Sequence, residues 1–433
     1  MSGLDAVAGG TIAAVPTREG RAAQAADSVA GAQARRPTMR FTRPVPVMAA
    51  VTVAGPAEQA GPLGGRFDRL LADHLVGQRT WEMAEAHFQE MAAEMAIAAA
   101  GLRRQDIDAV LGGDLQNQLG ATGFAARIID LPMLGLYGAC ATCGEGLLLG
   151  AALCDAGFCR HVLVVVSSHH HAAERQFRFP TEFGTQLPPT AQWTATGAAA
   201  FVLGGGDIAG GAAPPGPDGD GGDGGASRRE RNGHTRRHGD EAADGDGDDR
   251  GRASAGNGDV HGAAAGAAAA SRRPCIVAAT PGRVVDMGVK DPYDMGGAEA
   301  PAAADTILRH LRGRDLGPRA FSAIVTGDLA RYGRPVCEDL LRQEGVEANL
   351  RDCGERLYDF ARQDVHAGGS GAACCGLVLA ADLLPRVRAG EWERLLFVAT
   401  GALLSKTSYQ QGQSIPCVAH AVEIVAPGLG ERA

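Results

Sequence analysis

Short, fully apolar strand runs alternate with helical stretches along most of this chain, and that alternation restricts it to a sheet layered between helices. Residues 78–100 repeat apolar positions at three and four, through Trp81, Ala84, Phe88, Met91, Met95 and Ile97, which predicts an amphipathic helix. Ile107 to Leu111 reads as a short strand ending in Gly112-Gly113-Asp114. A helix over 117–129 and a strand over 134–137 then lead into Gly138-Ala139-Cys140. Residues 145–156 are small and apolar, as in a helix packed on most sides. His161 to Ser167 is a continuous β-branched run, the mark of a strand covered on both faces, and 198–203 adds another strand. The same alternation returns later. Strands are expected over 276–280, 323–326, 395–400 and 415–425, and helices over 302–311, 336–344 and 371–384.

A seven-residue echo ties the two stretches together. Residues 109–115 read A-V-L-G-G-D-L and residues 323–329 read A-I-V-T-G-D-L, each between two helical stretches. A repeat at half-chain spacing suggests two similar α/β halves. Between them, residues from about Gly204 to Ser271 are rich in Gly, Asp, Arg and Ala, with almost no large apolar side chain. Such a segment buries too little surface to offset its chain entropy. The expected organisation is a disordered tail over 1–40, a first half over 41–203, a disordered insertion over 204–273 and a second half over 274–433.

Composition removes several functions. The formal net charge is −9, whereas nucleic-acid binding calls for a basic face, so no nucleic-acid partner is expected. No apolar run approaches the ~18 residues of a membrane span. The first 38 residues lack a continuous apolar core, and Asp5, Glu19 and Asp27 fit a transit peptide poorly, so no secretory or targeting signal is expected. Ten cysteines spread over a long chain without a signal argue for reduced thiols inside the cell.

Cys140 is the most suggestive single position. It follows a strand, sits among small residues and opens a helix, where a helix N-terminus favours a thiolate. A nucleophile and a buried structural cysteine both fit that description. Cys143 makes a lone C-x-x-C, too little for zinc. Three consecutive histidines, His169, His170 and His171, cannot share one strand face, so no metal site is expected from them alone, although one could line a pocket. His366 and His420 read as structural. Asp114 and Asp328 end strands, where open sheets place binding residues or cap the next helix. Arg175 and Arg178, interleaved with Phe177 and Phe179, could hold a flat dianion or pair on a surface loop. Gly368-Gly369-Ser370-Gly371 lacks a nucleotide-binding frame and reads as a tight turn. No cofactor is expected.

Several long strings carry a resemblance. They include G-P-L-G-G-R-F-D at 61–68, W-E-M-A-E at 81–85, G-D-L-Q-N-Q at 113–118 and G-A-C-A-T at 138–142. Others are S-S-H at 167–169, A-E-R-Q-F-R-F-P-T-E-F-G at 173–184 and A-P-A-A-A-D-T-I at 300–307. The last are A-T-G-A-L-L-S at 399–405 and Q-Q-G-Q-S-I-P-C-V-A-H at 410–420. In these residues the chain resembles the stage V sporulation protein AD family. The resemblance implies a thiolase-like fold, two pseudo-repeated α/β halves in a layered α-β-α-β-α arrangement, usually dimeric. It implies binding of dipicolinic acid (pyridine-2,6-dicarboxylate), with or without calcium, during its loading into the forespore and release in germination. The implied partners are the other stage V sporulation A proteins at the spore inner membrane. The expected ligand-binding residues are Cys140, His169, Arg175, Arg178, Asp114 and Asn117. Condensing enzymes of this fold use a cysteine at the Cys140 position, which leaves an acyltransferase with a Cys140 nucleophile as the alternative. They also need a histidine loop in the second half. Here that stretch reads Thr326-Gly327-Asp328-Leu329-Ala330, without histidine, so a degenerate enzyme site reused as a pocket is the expectation.

Overall fold

The computed structural model describes residues 38–178, 187–204 and 273–429. The expected tail and insertion lie outside these residues, apart from residues 38–40, 204 and 273. In the first half, strands β1 (Met39–Ala54), β2 (Ala109–Gly113), β3 (Met133–Gly135), β4 (His161–Ser168) and β5 (Gly197–Gly204) lie in the order β3-β2-β4-β5-β1. In the second half, β6 (Cys275–Thr280), β7 (Ala323–Thr326), β8 (Leu350–Asp352), β9 (Arg394–Ala402) and β10 (Cys417–Val425) lie in the order β8-β7-β9-β10-β6. The two orders are the same once equivalent strands are matched. The strand senses match too. β2 is parallel to β3 and β4, as β7 is to β8 and β9. β5 and β10 each run antiparallel to both neighbours. The seven-residue echo therefore marks a structural repeat, with Asp114 and Asp328 following equivalent strands.

β1 is the strand that sequence patterning missed. It pairs with β6 from Met39 to Pro46 and with β5 from Val47 to Ala54, so its length joins the two half-sheets. Pro44 and Pro46 argue against a central strand, because proline cannot donate to a ladder. Pro44 falls in an irregularity of the β6 pairing between Arg40 and Val45, whereas Pro46 sits in register opposite Cys275, where the pairing with β6 ends.

Helices fill three layers. α1 (Trp81–Ala99) and α2 (Gly120–Ile129) cover the outer face of the first half-sheet. α4 (Met295–Arg314) and α5 (Ala330–Gln343) cover the second. Between the half-sheets lie α3 (Thr142–Asp155) and α6 (Ala372–Val378), which runs on through a π-turn to Arg388. The strand runs are continuously apolar because both faces are covered. In β4, Val162, Val164 and Val166 join the central core, while Leu163 and Val165 join the outer core with Phe88. In β9, Leu395, Phe397 and Ala399 face the centre, and Leu396 and Val398 pack outward with Ile307. α3 is built of small residues because it is squeezed from both sides. A Cβ at Gly144 would lie 2.7 Å from the Ala399 Cβ.

Some helix bounds differ from the patterning. The stretch 117–129 breaks into a 3-10 turn and α2, with left-handed Gln118 and Leu119 between them. α4 and α5 begin seven and six residues early and carry Pro301 and Pro335 inside. Packing of their buried faces outweighs a local preference against interior proline.

Candidate functional site

Cys140 sits where β3 gives way to α3, in the tight turn Ala139–Ala141. Ala139 takes φ of 53°, a conformation rare outside glycine. The turn is pinned from within: the Gly138 N–H donates to Thr142 Oγ1 at 3.2 Å, and that hydroxyl donates to the Ala139 carbonyl at 2.7 Å. β9 presses on it from the other half. A Cβ at Gly401 would lie 2.6 Å from the Gly138 carbonyl oxygen, so only glycine lets the strand come this close.

Two buried carboxyl groups reach Cys140 from the second half. Asp328 follows β7, and its carboxylate accepts the Thr400 hydroxyl at 2.7 Å and the Gly371 N–H at 3.1 Å. Glu299 projects from α4. One ligating atom each from Cys140, Glu299 and Asp328 lies within 4.8 Å of the others. Neither Glu299 oxygen makes a well-formed hydrogen bond among the described residues. Burial first, then the Asp328 and Glu299 carboxylates, push the Cys140 thiol well above its ordinary pKa. Burial likewise raises Asp328, and burial and Asp328 together raise Glu299. At neutral pH the cysteine is a thiol. The C-x-x-C forms no disulfide and all ten cysteines are free, while the Cys375 thiol donates to the Cys140 carbonyl at 3.6 Å.

Above Cys140 opens a cavity of about 350 Å³. Its walls are mostly apolar, with Leu115, Tyr137, Phe177, Met295 and Leu403. Asn117, Thr194, Ser370 and Ser405 supply polar groups, and Glu174 supplies a carboxylate. Among the described residues no Lys, Arg or His lines it.

Among the expected residues whose side chains are described, Cys140 and Asn117 line the cavity wall. Asp114 is wholly buried and accepts the Gln116 N–H, the Thr122 N–H and the Thr122 hydroxyl at 2.6–2.7 Å, so it is consumed locally. His169 is also buried away from the wall, donating through Nε2 to the His74 carbonyl at 2.8 Å. Arg175 lies on the rim turn Glu174–Arg178, but it pairs with Glu82 and stacks over Trp81, 5.0 Å from the ring centre. The Arg178 side chain lies outside the described residues. His420 accepts the Gly282 N–H at 3.1 Å, and neither it nor His366 lines the cavity. The 368–371 stretch, read from sequence as a tight turn, instead holds a two-residue strand, Gly369–Ser370, paired in parallel with Trp193–Thr194. Gly371 takes φ of 100° to aim its N–H at Asp328.

Sequence reasoning missed Glu299, Thr400 and the 403–405 wall. Glu299 carried one signal, an acid within a run of small helical residues, Met295 to Ala304.

Five layers, with a cysteine at the start of the central helix, define a thiolase-like α/β fold. A solved point variant of OleA from Xanthomonas campestris shares it, at 12% identity, covering 89% of this chain and 100% of that one with a TM-score of 0.50. The tetronic acid condensing enzyme AbyA1 is 16% identical over 88% of this chain and 100% of its own, with a TM-score of 0.48. The family model described as Stage V sporulation protein AD (SpoVAD) matches residues 35–209 and 250–425. Stage V sporulation protein AD of Bacillus subtilis (strain 168) is 36% identical over 387 residues, 89% of this chain and 95% of that protein. The chain belongs to the stage V sporulation protein AD family of sporulation proteins. The match leaves out residues 210–249, within the low-complexity stretch.

Proposed function

We propose that the chain binds dipicolinic acid in the Cys140 cavity and performs no acyl chemistry there. The observation that carries this reading is the setting of Cys140, buried beside the Asp328 and Glu299 carboxyls. Burial and two carboxyls raise its pKa, and no described histidine on the cavity wall could act as its base. Apolar walls suit the pyridine ring. The hydroxyls of Thr194, Ser370 and Ser405 and the Asn117 amide suit its carboxylates. Glu174 suits calcium, which takes oxygen ligands, so the calcium chelate fits a wall of this charge better than the bare dianion does. Arg178, and less directly Arg175, would hold the outer carboxylate from the rim.

In this reading the protein serves the loading of calcium dipicolinate into the forespore and its release in germination. It works beside the other stage V sporulation A proteins at the spore inner membrane. No helix among the described residues is long and apolar enough to cross a membrane, so attachment runs through those partners. Phe124 and Ile128, one turn apart on α2 and both exposed, support a homodimer.

Calorimetric titration with dipicolinate, with and without calcium and with picolinate as control, tests the reading. Saturable binding that needs both carboxylates and tightens with calcium is expected. Arg178→Ala should weaken it by about 2 kcal/mol, and unchanged affinity in both Arg178→Ala and Arg175→Ala would remove the rim assignment. The alternative, a Cys140 acyltransferase, is favoured only by the placement of that cysteine at the cavity floor. It requires an acyl adduct on Cys140 by intact mass after incubation with an acyl-CoA panel, which Cys140→Ser abolishes.

A further inference from the structure

Three histidines meet outside the cavity wall. His74 comes from the loop before α1, and His169 and His171 come from the chain leaving β4. The expectation that consecutive histidines cannot converge holds for a strand, but the chain turns into the short helix His170–Ala173 directly after His169. His170 goes the other way and stacks on Trp193 with ring centres 3.7 Å apart. That leaves His169 and His171 on one side with His74, and one ring nitrogen from each of the three lies within 4.8 Å of the others.

We propose that His74, His169 and His171 form a binding site for a late first-row divalent metal of the zinc class, with a fourth position open to water or an added ligand. The second observation is the hydrogen bonding. His169 is 1% exposed, and its Nε2 donates to the His74 carbonyl at 2.8 Å. A carbonyl can only accept, so Nε2 carries the proton and Nδ1 carries a lone pair. That Nδ1 is buried and has no hydrogen-bond partner among the described residues, and the Nδ1 atoms of His74 and His171 are in the same state. A buried acceptor without a partner is costly, and a ring held through its other N–H by a backbone carbonyl is the usual setting of a metal-ligating histidine. Burial lowers the pKa of all three, His169 to about 4, so the rings are neutral ligands at pH 7.

The donor set selects the metal. Three imidazoles without a carboxylate suit zinc, cobalt, nickel or copper and not calcium or magnesium. Tetrahedral zinc with Zn–N of about 2.0 Å sets its nitrogens roughly 3.3 Å apart, within reach of small ring rotations. Phe88 stacks against His169 and Trp81 lies against His171, giving the site an apolar shell. Asp73 fixes the loop that carries His74 by accepting the Leu75 and Val76 N–H groups at 2.7 and 2.6 Å.

The test is a titration of the full chain, stripped with EDTA and exchanged into chelator-free buffer, with zinc chloride alone. Dipicolinate is left out because it chelates zinc itself. Thiols elsewhere also bind zinc, so the readout is the difference between variants. His74→Ala and His171→Ala change half-buried residues, and each should abolish one equivalent or weaken it about a hundredfold. His87→Ala, on α1, should leave it intact. Cobalt(II) should give the visible bands of a tetrahedral site in the parent chain and lose them in His74→Ala. Equal zinc stoichiometry and affinity in parent and His74→Ala would overturn the proposal. Should either alanine variant melt abnormally without metal, His74→Asn repeats the test with a polar side chain too short to ligate.

Discussion

The two halves treat the same strand end differently. Asp114 and Asp328 close equivalent strands in the same G-D-L sequence, and each has a buried glutamate beside it. Glu85 and Glu299 are each the fifth residue of the outer helix, α1 and α4. In the first half the group is closed. Asp114 accepts N–H groups on the approach to and in the first turn of α2, and Glu85 accepts from Gln116 and Ser167, both at 2.8 Å. In the second half another residue takes over the capping. Asp352 accepts the Leu329 and Ala330 N–H groups at the start of α5, at 2.9 and 3.0 Å. Asp352 pairs with Thr326 across β8 and β7, and the equivalent pair in the first half is Gly135 with Gly112. The first half has no side chain there, so Asp114 must cap. Asp352 frees Asp328 to face Cys140. One Gly-for-Asp difference in a short strand thus separates a structural cluster from a site.

The largest expected effect tests the capping itself. Asp352→Ala and Asp114→Ala each strand several buried donors and should cost about 3–5 kcal/mol in urea unfolding. A loss under about 1 kcal/mol in either would break the comparison.

Next comes Glu85, whose carboxyl is raised to about 8, first by burial and then by Asp114. The unfolded chain loses this proton near pH 4.5 and the native state near 8, so the native state holds the extra proton between them. Stability should therefore fall as pH rises through that window. Glu85→Gln should remove the Glu85 part of the slope, a gain on the order of 3 kcal/mol at pH 8 relative to pH 5. A parallel pH profile in parent and variant would mean that the first cluster is not the closed, proton-holding group described.

The smallest effect sharpens the second half. Asp328→Asn removes a carboxylate that raises the Cys140 pKa, so alkylation of Cys140 at pH 8 should quicken by about tenfold. Stability should change by no more than about 1 kcal/mol, because loss of repulsion with Glu299 offsets the altered hydrogen bonds. Unchanged alkylation would mean that Asp328 does not govern the thiol.

Much of the layered fold was legible in the sequence, because strands covered on both faces leave runs such as Val162 to Val166 that local pattern detects. Cys140 was legible for the same kind of reason, a cysteine among small residues at a helix start. β1 was not, since prolines argue against a central strand and only its two neighbours define the pairing that tolerates Pro44 and Pro46. Arg175 carried the right chemistry for an anion, yet Glu82 and Trp81, far away in sequence, engage it.

The sequence by itself determined the order of strands and helices, the repeat and the family, because these rest on local period and on long matching strings. Tertiary structure alone decided which acid caps and which faces the thiol, and which histidines converge. Those outcomes depend on groups from separate elements meeting in a few ångströms of dry space, where burial sets their protonation and no local pattern records the meeting.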